Sequence, residues 1–146
     1  MSTILLVDDD QAIRIALQAF LRKQGVNVLL AADGPAGLRL VGSRSLDAAI
    51  IDMFLPGMDG IATIRELVEL DPLLPFIAIS GKRFTDSRLG GSDSLGMAVR
   101  LGATAALQKP FGVAELLSAL DQCFARRRPY LVAETAKSQI NGSSMK

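Results

Sequence analysis

Acids and two other polar groups stand where apolar runs give out. The run ILLV (4–7) leads directly into Asp8, Asp9 and Asp10, AAII (48–51) into Asp52, and FIAI (76–79) into Ser80, while AAL (105–107) is followed two residues on by Lys109. Short, mostly apolar runs of this kind read as strands of a parallel sheet covered on both faces. In such a sheet the carboxyl ends of the strands form the crevice where ligands bind. With the first and third strands adjacent, Asp8, Asp9 and Asp52 converge on one small pocket. Like charges about 4 Å apart repel by roughly 4 kcal/mol at an effective dielectric near 20, so the cluster demands a cation or a shifted pKa. Carboxylate oxygens with no His or Cys nearby suit Mg²⁺ that keeps several of its waters. A carboxylate flanked by a divalent cation, a hydroxyl and an ammonium is equipped to accept a phosphoryl group, whose spread negative charge all three stabilise.

These groups need a regular alternation of elements to hold them. Strands are predicted at Thr3–Val7, Val26–Ala31, Ala48–Ile51, Phe76–Ile79 and Ala105–Leu107. Helical spacing lies between them: Ile13, Leu17, Phe20 and Leu21 share one face, and Ile61, Ile64, Leu67 and Val68 another. Leu38 and Val41 mark a further helix, and Val113, Leu116, Leu117, Leu120 and Phe124 mark the last. Gly25 stands where a glycine ends a helix, and Asp10 and Asp59 read as N-caps rather than as members of the site. Strand and helix alternating five times predict a doubly wound α/β sandwich. Two segments depart from the plan. GKRFTDSRLGGSDSLG (81–96) is read as a mobile loop running into a late fourth helix near Ser94–Leu101. Beyond a domain of residues 1–128, Pro129 stops the last helix and 129–146 is read as an extended, partly disordered tail.

Composition narrows the function classes. A chain of 146 residues with 49% hydrophobic content suits one domain with a proper core. Sixteen Lys and Arg against fifteen Asp and Glu leave a net charge of +1, so no global basic field favours direct DNA binding. No apolar stretch approaches membrane-spanning length. The single Cys123 excludes an internal disulfide and is read as a small core hydrophobe, and a reducing cytoplasm is the expected location. Arg126, Arg127 and Arg128 are read as complementing the dipole of the last helix.

The motifs LLVDDD, IIDMFLPGMDG, IAISG and LQKPF, in this order at the ends of successive strands, resemble the receiver domain of two-component response regulators. The resemblance covers Thr3 to about Arg127. It implies a (βα)5 fold with the flavodoxin-like strand order 2-1-3-4-5. Asp52 would be the phosphoacceptor, Asp8 and Asp9 the Mg²⁺ acids, and Phe54 a metal ligand through its backbone carbonyl. Asp9 would touch the metal directly and Asp8 through water. Ser80 would be the switch hydroxyl, Lys109 the partner of the phosphoryl group, and the Lys109–Pro110 bond cis. The donor would be a histidine kinase or a histidine phosphotransfer protein, since these residues include no His. Output would pass to a downstream protein or to a second copy through the fourth helix, fifth strand and last helix.

Several positions depart from the common pattern of the family. Ala106 stands where many receivers carry an aromatic residue that swings inward on phosphorylation, so that switch cannot operate in its usual form. Phe54 and Lys82 flank the path of an attacking water and bear on the lifetime of the phosphoryl group. The segment after Ser80 is longer than in a compact receiver. No output domain follows within these residues, so a single-domain regulator with only its own phosphorylation and dephosphorylation chemistry is the leading expectation. A phosphorylation-independent adaptor is the alternative. A phosphatase of the haloacid dehalogenase type ranks last, because Phe54 occupies the position where that class needs a second acid.

Overall fold

The structure is a computed structural model that describes residues 1–55, 57–81 and 94–127. Five strands, β1 (Ser2–Val7), β2 (Val26–Ala31), β3 (Ala48–Asp52), β4 (Phe76–Ser80) and β5 (Ala105–Gln108), form one sheet in the order β2-β1-β3-β4-β5. Every pairing is parallel. The helices are α1 (Gln11–Lys23), α2 (Gly34–Ser43), α3 (Gly60–Leu70), α4 (Ser94–Arg100) and α5, helical over 113–127. This is the expected flavodoxin-like, doubly wound fold. Lys82, the 82–93 part of the long segment, Arg128 and the tail 129–146 lie outside the described residues.

The two layers follow from strand geometry. Successive side chains point to opposite faces, so Leu5, Val7, Ala49, Ile51, Phe76 and Ala78 join one core with Ile64, Leu67 and Ala98. Ile4, Leu6, Ala48, Ile50, Ile77 and Ile79 join the other with Leu21, Leu116, Leu120 and Cys123. All five residues of β3 and all five of β4 are buried. At the sheet edge β5 has no fully buried residue, so the expectation of cover on both faces holds for the central strands and weakens at the rim. Burial of the Cys123 thiol raises its pKa to about 11, which leaves it inert as the core hydrophobe expected. Val113, grouped with the apolar face of the last helix, is instead 53% exposed at the start of α5.

Local signals set the helix ends. Asp10 accepts from the backbone N–H groups of Ala12 and Ile13, and Asp59 from that of Ala62, so both are N-caps as read. Asp33 caps α2 in the same way, with Pro35 in the first turn. Gly25 follows α1 at φ +82°, a conformation that glycine adopts without strain. Arg126 donates to the Thr104 hydroxyl at 3.1 Å and Arg127 pairs with Asp71 at 3.6 Å. The end of α5 is thus fastened to its neighbours as well as suited to the helix dipole.

Candidate functional site

Strand register brings the acids together. Val7, the last residue of β1, lies beside Ile51 of β3. The next residue on each chain, Asp8 and Asp52, therefore meets at the carboxyl edge of the sheet. One ligand oxygen each from Asp8, Asp9 and Asp52 lies within 4.8 Å of the others. Asp8 is completely buried and Asp52 is 4% exposed, while Asp9 faces solvent. Lys109, arriving from beyond β5, donates to Asp8 Oδ2 at 2.8 Å and to Asp52 Oδ2 at 3.3 Å. Read alone, this lysine could equally be a solvated surface residue; the fold makes it the bridge between two buried acids.

Electrostatics follow from that packing. Burial disfavours the ionised form of Asp52 and, aided by the charge of Asp8 against the backbone N–H of Phe54 and the Lys109 ammonium, raises its pKa to about 6. Burial pulls the Lys109 ammonium down, but its hydrogen bond to Asp8 and the charges of Asp52 and Asp8 outweigh this, and its pKa is raised. Three carboxylates against one ammonium leave two negative charges when all are ionised. A hard divalent cation matches both that deficit and an all-oxygen donor set. The acidic cluster therefore fits a metal of the Mg²⁺ kind.

The remaining expected residues are placed as follows. The Phe54 backbone N–H donates to Asp52 Oδ1 at 3.0 Å and its ring packs, half-buried, against the core on the α3 side. Ser80 is fully buried at the end of β4, with its hydroxyl donating to the Gly81 carbonyl at 3.3 Å. The Lys109–Pro110 bond is cis, as the resemblance implied. Ala106 lies half-buried on β5 beside Ala78.

Two further residues shape the site and were not singled out from sequence. Arg14 Nη1 donates to the Asp8 carbonyl at 2.7 Å. An arginine on an exposed helix face reads as a solvated charge, so no sequence signal pointed to it. Gly60 lies against the backbone that carries the phosphoacceptor candidate, and a Cβ there would sit 2.8 Å from the Asp52 carbonyl oxygen. The Asp59-Gly60 pair at a helix start was the available hint.

The fold agrees with what the chain is similar to. The family model described as "Response regulator receiver domain" matches residues 4–121. The response regulator MprA of Mycobacterium bovis is 33% identical over 132 residues, which cover 90% of this chain and 54% of that protein. The chain thus spans about half the length of the curated relatives it matches. A receiver domain protein from Clostridium thermocellum superposes with a TM-score of 0.78 at 26% identity, covering 89% of this chain and 99% of the other. The receiver domain of NtrX from Brucella abortus gives a TM-score of 0.74 at 27% identity, covering 84% and 98%.

Proposed function

The chain belongs to the response regulator receiver domain family of two-component systems, and from that premise we propose that Asp52 accepts a phosphoryl group from a phosphohistidine on a partner histidine kinase or histidine phosphotransfer protein. The observation that carries this reading is the convergence of Asp8, Asp9, Asp52 and Lys109 at the carboxyl ends of β1, β3 and β5. An Asp52 carboxylate oxygen attacks phosphorus, the bond from phosphorus to the donor imidazole nitrogen breaks, and an acyl phosphate forms on Asp52. With a pKa of about 6, Asp52 is mostly ionised at neutral pH and able to act as nucleophile. Lys109 already spans Asp8 and Asp52, so its ammonium is in place to pair with the phosphoryl oxygens. The Ser80 hydroxyl would exchange its Gly81 acceptor for one of those oxygens. Asp8, Asp9, Asp52 and the Phe54 carbonyl would hold Mg²⁺, which when bound supplies neutralisation of the negative charge of the transferring group.

Signalling then rests on protein contacts through α4, β5 and α5. Incubation with acetyl phosphate and Mg²⁺ followed by intact-mass measurement tests the reading: one phosphoryl group is gained, and none in Asp52→Asn. Ala106, which offers no ring to swing, favours a second reading as a phosphorylation-independent adaptor. That reading requires the wild-type mass to stay unchanged.

A further inference from the structure

Asp8 is held at every polar atom. Its backbone N–H donates to Ala31 at 3.1 Å, Oδ1 accepts from the Asp10 N–H at 2.9 Å, and Oδ2 accepts from Lys109 at 2.8 Å. The carbonyl is taken by the Arg14 guanidinium at 2.7 Å. Asp9 is different: among the described residues no hydrogen bond or ion pair holds its carboxylate, and it faces solvent. Its place within 4.8 Å of Asp8 and Asp52 is therefore set by the backbone of the turn from β1 into α1 alone. Arg14 closes that turn from both sides, since its own N–H donates to the Asp10 carbonyl at 3.0 Å while its side chain reaches back to Asp8.

We propose that Arg14 is a positioning residue for the acidic cluster: by gripping the Asp8 carbonyl it fixes the turn that aims the Asp9 carboxylate at a divalent cation. The inference rests on the metal-binding reading of the cluster. It also opposes simple electrostatics. Arg14 adds positive charge beside a cation site, so as a charge alone it would weaken Mg²⁺ binding, and removing it would tighten binding. As a positioning group its removal loosens the site, and groups that orient metal ligands typically account for about 10- to 100-fold in affinity. The sign of the change decides between the two.

Mg²⁺ is titrated calorimetrically into the wild type, Asp9→Ala, Arg14→Met and Arg14→Lys, with melting of each variant recorded in EDTA. Arg14→Met is expected to bind about tenfold or more weakly while its metal-free melting stays close to wild type. Arg14→Lys keeps the charge and the aliphatic stem but not the planar fork, and is likewise expected to bind more weakly; it carries the test if Arg14→Met does not fold. Wild-type or tighter affinity in the folded Arg14 variants overturns the inference while leaving the metal reading intact. Absence of saturable binding by the wild type, or undiminished binding by Asp9→Ala, overturns the metal reading and this inference with it.

Discussion

At the residue scale the decisive quantity is the burial of Asp52. Its folded-state pKa of about 6 lies above the ordinary aspartate value of 3.8, so the native state binds a proton more tightly than the unfolded chain does. The sign follows: stability associated with this group is fully present below about pH 4 and is lost as pH rises through about 6. Asp52→Asn removes a charge that is costly to bury, and in EDTA near neutral pH it is predicted to raise unfolding free energy by about 1 to 3 kcal/mol. The gain should fade toward about pH 4. Urea unfolding of both proteins at the two pH values checks this; a destabilised variant at neutral pH would show that the pairing of Asp52 with Lys109 outweighs its desolvation. Phe54 gives a second prediction at this scale. Its backbone is tied to Asp52, and its half-buried side chain packs against the core on the α3 side. If the ring hinders the attacking water, Phe54→Asn will shorten the half-life of the acyl phosphate; decay at the wild-type rate would remove the ring as the barrier.

At the element scale the turn from β3 into α3 is held by close approach. The Gly60 N–H donates to the Met53 carbonyl at 3.2 Å, and a Cβ on Gly60 would meet the backbone of Met53 and Asp52, which cannot rotate away as a side chain would. Gly60→Ala is therefore predicted to destabilise by about 1 to 3 kcal/mol, as overpacking does, and to slow phosphorylation of Asp52 by displacing it. Gly42 in α2 is the matched control, because a Cβ there meets nothing within 4 Å. Gly42→Ala should stabilise by up to about 1 kcal/mol through helix propensity and leave phosphorylation unchanged. Urea melts with acetyl phosphate kinetics on both variants check the pair, and equal effects of the two substitutions would refute the steric account.

For the whole molecule, metal binding and folding are linked. A cation that binds only the folded chain stabilises it, by about 1.4 kcal/mol when its concentration is tenfold above Kd, or roughly 3 to 6 °C for a domain of this size. Mg²⁺ is predicted to raise the melting temperature of the wild type by that order and that of Asp9→Ala hardly at all; equal shifts would mean that the effect is not exerted at the acidic cluster. The sequence by itself determined the alternation of elements, because central strands buried on both faces must be apolar throughout and then break at the crevice, as the runs before Asp8, Asp52 and Ser80 do. It determined the caps Asp10 and Asp59 too, since a cap acts on backbone groups two or three residues away. The fold class was legible for the same reason, whereas the convergence of Asp8, Asp9 and Asp52 followed only with the first and third strands adjacent, an order that the resemblance implied and the β1–β3 pairing shows. Only the tertiary structure decided which core each strand residue enters, for two apolar faces leave no pattern to tell them apart. It alone showed that Lys109 spans Asp8 and Asp52, that Ser80 donates to Gly81, that Arg14 turns back onto the Asp8 carbonyl and that Gly60 touches the chain beside Asp52. Each of these depends on distances of a few ångströms set by packing, often between groups far apart along the chain, and residue type alone does not encode such distances.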